Sequence, residues 1–412
     1  MDLGTFSTLR SHTLIRGDSR HVLKLYPNEY FAAVVCDPPY ELREKSHRSP
    51  DGATPGKGYR GETWDGSGVP MDAWFWRQVY RVMKPGAYMV AFGGSRTVHR
   101  MTVAIEDAGF EIRDLLAWVY GSGFPKAKSI LRPSMEPIVL ARKAYGGTIA
   151  ESLKRYGTGQ LDIDALRMKR PEPAPPAGET PMLPGFEGLD FGVKAPAPTP
   201  PAQNGQYVVV PHPEGFWPPN VIISHSALCE PGDCADDCGH RLLGDKAELF
   251  AQVTLDQDGY NPAAFVSKPS LGERDEGLEV PIKSKEFIAS GKQGKKPNKL
   301  NGEWNPRVGI RSPRRNHHPT VKPTGIMEWL VTLICPPGLP VLDPFSGSGT
   351  TGIVAGRKGI PFVGVDIDED DEWTTIAMQR FRYHFGPLLL ADPVRAEIDP
   401  KAGSYAIRLD WL

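Results

Sequence analysis

No apolar run in the 412 residues approaches the ~18 needed to cross a bilayer, and the N-terminus, MDLGTFSTLRSHTLIRGD, lacks an apolar core followed by a cleavage site. A membrane partner or an exported protein is therefore not expected, and a cytoplasmic one is. Cysteine is scarce: there are five, three of them crowded between 229 and 238, unlike the even framework of a secreted disulfide protein. Net charge is nearly absent too, because 48 Lys and Arg face 49 Asp and Glu, so overall balance gives no reason to expect a polyanionic partner. The 40% of hydrophobic residues is enough for a substantial core in one large domain or two ordinary ones.

Charge is instead concentrated locally. From Pro281 to Pro323 eleven Lys and Arg, among them Lys295, Lys296, Lys299, Arg311, Arg314 and Arg315, face only Glu286 and Glu303. Such a stretch is a solvated loop or a phosphate-contacting surface. The apolar pattern predicts strands over 12–18, 31–36, 87–92, 112–120 and 137–141, and helices over 73–84 and 98–108. The alternation fades after Arg142. Residues 171–205, rich in Pro, Ala and Gly, read as an extended linker. It resumes with a helix over 326–333, strands at 339–343 and 361–366, and helices over 350–357 and 372–384. This is α/β grammar at both ends of the chain with an irregular, partly basic middle.

Between strand 339–343 and the following helix lies Asp343-Pro344-Phe345-Ser346-Gly347-Ser348-Gly349-Thr350-Thr351. Its glycines let the backbone turn tightly and approach a ligand, and the helix start offers unpaired N–H groups. It is not a phosphate loop, because no Lys precedes Thr350 or Thr351, and Asp-Pro-Phe ahead of it does not suit a dinucleotide fingerprint. Asp366 ends the next strand, where a carboxylate can accept from both hydroxyls of a ribose. DPFSGSGTT resembles the DPFxGSGTT signature of the S-adenosylmethionine-dependent DNA amino-methyltransferases, and His318-Pro319-Thr320-Val321-Lys322-Pro323 resembles their HPTxKP segment. The resemblance implies that His318, Thr320, Lys322, Pro323, residues 343–351 and Asp366 hold S-adenosylmethionine.

Asp37-Pro38-Pro39-Tyr40 follows the buried strand FAAVVC and is similar to the catalytic tetrapeptide of the same family. An exocyclic amine conjugated to a base ring is a poor nucleophile, since its lone pair is delocalised. The Asp37 carboxylate and the Pro38 carbonyl can accept its two hydrogens and pull the nitrogen toward tetrahedral geometry, while Tyr40 stacks on a flipped base. Methyl transfer is then direct, with no covalent enzyme intermediate and no metal. Cys36 precedes Asp37 on a buried strand, so it and Cys335 read as core residues rather than nucleophiles.

The order of the two motifs, DPPY before DPFSGSGTT, resembles the circularly permuted β-class. That implies one Rossmann-like sheet built from both ends of the chain: residues 1–145 carry the catalytic half, 316–412 the cofactor half, and 146–315 an inserted target-recognition region. Strands ending at Asp343 and Asp366 would stand first and second, and those ending at Asp18 and Asp37 third and fourth, with Asp18 reaching the cofactor adenine and Asp37 shared between both sites. Lys84-Pro85-Gly86, Ala91-Phe92-Gly93-Gly94 and the segment from Trp118 to Lys126 resemble phage-type and actinobacterial members, so a bacterial or phage-encoded enzyme is expected. The implied reaction is methylation of adenine N6 in double-stranded DNA. Aspartate at position 37 favours this over N4 of cytosine, whose enzymes more often carry serine there, and the further alternatives are a non-catalytic DNA-binding homologue or an enzyme acting on RNA or on a protein glutamine. The basic stretch, with Lys295, Lys296, Lys299, Arg311, Arg314 and Arg315, then becomes a phosphate-contacting surface. His225, Cys229, Cys234 and Cys238 can close a structural zinc site, with reduced surface cysteines or a disulfide as alternatives. A homodimer and a cognate restriction endonuclease stay open as partners.

Overall fold

The computed structural model describes residues 12–42, 64–120, 131, 133–168, 217–223, 251–252, 271–278, 299–300, 303–304, 315–316, 318, 320–367, 372–386 and 394–395. The N-terminal segment runs β1 (His12–Arg16), α1 (Ser19–Val22), β2 (Phe31–Cys36), α2 (Ala73–Val82), β3 (Met83–Phe92), α3 (Val98–Asp107), β4 (Phe110–Val119), β5 (Met135–Lys143) and α4 (Ile149–Tyr156). The middle contributes β6 (Val221–Ile223), β7 (Ala251–Gln252), α5 (Leu271–Asp275) and a small hairpin of β8 (Lys299–Leu300) and β9 (Glu303–Trp304). The C-terminal segment supplies α6 (Thr324–Ile334), β10 (Val341–Asp343), α7 (Thr350–Arg357), β11 (Phe362–Asp366), α8 (Glu372–Phe385) and β12 (Val394–Arg395).

Strand order in the main sheet is β12-β1-β11-β10-β2-β3-β5-β4-β6-β7. The C-terminal strands β10 and β11 thus lie between the N-terminal strands β1 and β2. Val341 pairs with Ala33 on one side and Phe362 on the other, and His12 to Arg16 run parallel to Phe362 to Asp366. This is a mixed α/β, Rossmann-like sheet in permuted order. Its antiparallel member is β5, between β3 and β4.

The period-two alternation of β2 explains the layering. Ala33 and Val35 face a core shared with Ile326, Leu330, Ile353 and Phe381 of α6, α7 and α8. Val34 and Cys36 face a second core with Phe75, Trp76 and Val79 of α2 and Ile105 of α3. Cys36 and Cys335 are buried free thiols, as the reading of them as core residues requires.

Helix α2 starts where the Asp72 carboxylate accepts from Trp74 N–H at 2.8 Å, and it ends at Val82, two residues short of the sequence expectation. Met83, fully buried, already pairs with Phe31, and the Lys143 ammonium donates to its carbonyl at 2.7 Å, so the backbone is extended before Pro85-Gly86 rather than after it. Gly86 then takes a φ of 78°, and a Cβ there would stand 3.1 Å from the Gly159 Cα. Helix α4 lies where the sequence pattern fades. No helix among the described residues is long and apolar enough to cross a membrane. The Pro-rich stretch 171–205 lies outside the described residues.

Candidate active site

Parallel β2 and β10 end side by side, and each delivers a carboxylate to the same end of the sheet: Asp37 just after β2 and Asp343 as the last residue of β10. The chain leaving Asp37 is held firmly. Thr97 donates its hydroxyl to the Tyr40 carbonyl at 2.7 Å, and Glu41, at a left-handed φ of 55°, donates its N–H to the buried Asp65 carboxylate at 2.8 Å. Left-handed backbone is unfavourable for a non-glycine residue, so this turn is fixed by its partners.

Asp37 has 15% of its side chain exposed, and its two oxygens differ. Oδ2 accepts from the Lys322 ammonium, whereas Oδ1 is buried and has no partner among the described residues. Burial pushes the Asp37 carboxyl above the ordinary carboxylate range, Lys322 opposes that rise, and the neighbouring Glu136 adds to it. Tyr40 donates its hydroxyl to Glu136 Oε2 at 2.9 Å, and Tyr120 donates to Oε1 at 3.3 Å. Burial, then Asp37 and Glu136, raise the Tyr40 phenol well above its usual value, and burial and Glu136 raise that of Tyr120. The Lys322 ammonium also lies 5.3 Å from the Tyr40 ring centre and 4.8 Å from that of Phe92.

The loop after β10 is built for close approach. Gly347 and Gly349 adopt φ of 50° and 80°, and a Cβ on Gly347 would stand 2.9 Å from His318 Nε2. Gly347 donates its N–H to Asp366 Oδ2 at 2.6 Å, which ties the loop to the end of β11. Asp343 accepts from the Thr351 hydroxyl at 2.5 Å and from Phe345 N–H at 3.0 Å, yet burial, with Asp37 and Asp366 nearby, raises its carboxyl to about 7. Arg380, with no exposed surface, supports the loop from below by donating to the Ser348 carbonyl at 2.8 Å and the Thr350 hydroxyl at 3.2 Å. Ser346 Oγ is buried without a partner among the described residues.

Asp18 caps α1, accepting from Arg20 N–H at 2.8 Å and pairing with its guanidinium at 2.5 Å. Burial opposes its ionisation, but the Arg20 bonds outweigh burial and hold the carboxyl below its usual value. The adjacent Ser19 hydroxyl donates to the Pro344 carbonyl at 2.5 Å, so the turn at Asp18 abuts the glycine loop. His318 packs edge-on against Trp373 at 4.7 Å. One cleft is lined by Asp37, His318, Thr320 and Lys322 together with Asp343, Phe345 to Ser348, Thr350 and Thr351. Asp18, Pro323, Pro344, Gly349 and Asp366 do not line it among the described residues.

Sequence reasoning did not single out Glu136, which β5 brings to this site. Its signal was a carboxylate opening an otherwise apolar strand, Met135-Glu136-Pro137-Ile138-Val139. It also missed the short helix α5, which fastens the segment around His318. Arg274 donates to the carbonyls of Asn316 and His318, the Asp275 carboxylate accepts from Arg315 N–H and Asn316 N–H, and Glu273 accepts from Thr324 N–H at 2.6 Å where α6 begins. Among the basic candidates, Lys295, Lys296, Arg311 and Arg314 lie outside the described residues, as do Gly121 to Lys126 and the zinc candidates His225, Cys229, Cys234 and Cys238. Lys299 is described only as backbone, paired with Trp304 in the β8–β9 hairpin. Among the described residues no group of His, Cys, Asp or Glu is arranged to hold a metal ion.

A family model described as DNA methylase matches residues 31–180 and 256–375, more than half of the chain. The type II methyltransferase M.HindIII of Haemophilus influenzae is 23% identical over 202 residues, 37% of this chain and 65% of its own length. M2.DpnII of Streptococcus pneumoniae, also a type II methyltransferase, is 44% identical over 63 residues, 15% of this chain and 23% of its own. The matches thus span less than two thirds of either relative. The solved structure of the cytosine-N4-specific PvuII DNA methyltransferase aligns with 92% of this chain and 95% of its own at 15% identity, with a TM-score of 0.42.

Proposed function

The chain belongs to the N6/N4 DNA methylase family, and from that premise we propose that it transfers a methyl group from S-adenosylmethionine to the N6 amine of an adenine flipped out of double-stranded DNA. The observation that carries this reading is the divided Asp37 carboxylate: Lys322 occupies Oδ2, while Oδ1 is buried without a partner among the described residues. A buried acceptor left unpaired costs about 1–3 kcal/mol, a cost that an N–H donor from a substrate amine removes.

The residues around the glycine loop fit the cofactor. Gly347 and Gly349 allow backbone approach, the orphaned Ser346 Oγ and the Asp343 carboxyl offer polar contacts for its amino-acid end, and Asp366 stands at the strand end suited to a ribose. When bound, the cofactor supplies an electrophilic methyl group. Asp37 and the Pro38 carbonyl orient the amine lone pair toward it, and Tyr40 stacks on the base. No group of the chain becomes covalently attached to the substrate. The basic stretch 281–323 contributes phosphate contacts that are independent of sequence. Aspartate at position 37 supports adenine over cytosine N4.

Asp37→Ala tests the reading. The variant should bind S-adenosylhomocysteine with calorimetric affinity within about threefold of the parent and lose transfer of labelled methyl to unmethylated bacterial genomic DNA by at least about 1000-fold. Retention of full transfer by this variant would overturn the assignment.

A further inference from the structure

The chemistry above uses Asp37 and Tyr40 but leaves Glu136 without a purpose. Glu136 has 12% of its side chain exposed and sits against three groups of the site: the Tyr40 hydroxyl at 2.9 Å, the Tyr120 hydroxyl at 3.3 Å and the Lys322 ammonium at 3.6 Å. Burying a second carboxylate beside Asp37 is expensive. A link between β5 and the tetrapeptide made with neutral hydrogen bonds would avoid that cost, so a merely structural tie does not explain why the residue is an acid.

We propose that Glu136 is a positioning residue of the target-base site, which fixes the Tyr40 ring through its hydroxyl and places a carboxylate beside the Asp37–Lys322 pair. The inference rests on the methyl-transfer reading. The Glu136 carboxylate stands 3.6 Å from the same Lys322 ammonium that pairs with Asp37. During transfer the amine lone pair forms the new N–C bond as the pair of the C–S bond returns to sulfur, and the positive charge passes from sulfur to the amine nitrogen. That nitrogen then releases one proton to the Asp37 carboxylate and on to solvent. A carboxylate beside that pair stabilises the cation as it arrives at nitrogen more than an amide in its place would. The hydroxyl anchor acts separately: with Glu136 on its hydroxyl and Lys322 over its face, the Tyr40 ring has one orientation in which to receive a base.

Three variants separate charge from anchoring. Glu136→Gln should slow single-turnover methyl transfer to unmethylated bacterial genomic DNA about 100-fold and leave affinity for S-adenosylhomocysteine within about threefold. Glu136→Asp, which restores the charge, should recover at least about tenfold of that loss. Glu136→Ala, in protein carrying 3-fluorotyrosine, should shift the 19F resonance of position 40, assigned through its disappearance in Tyr40→Phe. The inference is overturned if Glu136→Gln transfers at the parent rate, if cofactor affinity falls in step with the rate, if Glu136→Asp is no better than Glu136→Gln, or if the resonance does not move. Should Glu136→Ala fail to fold by circular dichroism, the Gln and Asp variants decide. If the parent itself methylates no DNA, the methyl-transfer reading fails, and the resonance in DNA-free protein still decides whether Glu136 fixes Tyr40.

Discussion

Lys322 joins the two halves of the site more directly than any other side chain described. It lies 285 residues from Asp37 in sequence, yet its ammonium meets that carboxylate with 8% of its own side chain exposed. The HPTxKP segment suggested a cofactor contact, and the residue does line the shared cleft, but its described partners, Asp37, Glu136 and the rings of Tyr40 and Phe92, belong to the base side. Since Lys322 opposes the burial-driven rise of the Asp37 carboxyl, Lys322→Met should raise it further. Asp37 must be ionised to accept the amine hydrogens, so activity falls as pH drops through that value, and the acidic limb of the pH–rate profile should move to higher pH in the variant. An unmoved limb would show that Lys322 does not tune Asp37. Asp343 yields a stability prediction with its own sign. Its carboxyl is raised from 3.8 to about 7 in the fold, so between those values the native state holds a proton that the unfolded chain has released. Its contribution is therefore full below about 4 and is lost as pH rises to about 7. Asp343→Asn, which can still accept from Thr351, should flatten the loss of stability across that window in urea titrations; an unchanged slope would contradict the assignment.

At the scale of elements, the Gly-rich loop between β10 and α7 is where backbone geometry and site coincide. Gly347→Ala would place a methyl group 2.9 Å from His318 Nε2 at a φ of 50°, a backbone conformation that costs an L-residue about 1–2 kcal/mol. It should leave the sheet intact and weaken S-adenosylhomocysteine binding about tenfold, roughly 1.4 kcal/mol by calorimetry; unaltered affinity would remove the loop from the cofactor site. The loop was legible because glycine, aspartate and threonine at fixed spacing have few structural excuses. So were β2, an unbroken apolar run, and α6, whose apolar residues Ile326, Met327, Leu330 and Leu333 recur at helical spacing. Helix α4 was not, although its start carries a reciprocal cap: Thr148 accepts from Glu151 N–H at 3.3 Å while Glu151 accepts from Thr148 N–H at 2.7 Å. It spans only eight residues, too short a stretch for periodicity alone to decide. Glu136 escaped for a different reason. Its role depends on partners from three distant segments, which no local pattern encodes.

For the whole molecule, the placement of β10 and β11 between β1 and β2 decides what the chain can do. Neither end alone brings Asp37 and Asp343 together; the sheet does so by setting two parallel strands, some three hundred residues apart in sequence, edge to edge. This much followed from the resemblance to the circularly permuted β-class, whose motif order, tetrapeptide before glycine loop, implies one sheet built from both ends of the chain. The attachment of β6 and β7 beyond β4 was not readable, because strands of three and two residues carry no pattern. The central claim is that this assembly methylates adenine N6, and nucleoside analysis tests it most directly. After incubation with labelled S-adenosylmethionine and unmethylated bacterial genomic DNA, enzymatic digestion and mass spectrometry should find N6-methyladenosine in its deoxy form as the labelled product. Label found only in N4-methylcytosine, or in no nucleoside, would contradict the account.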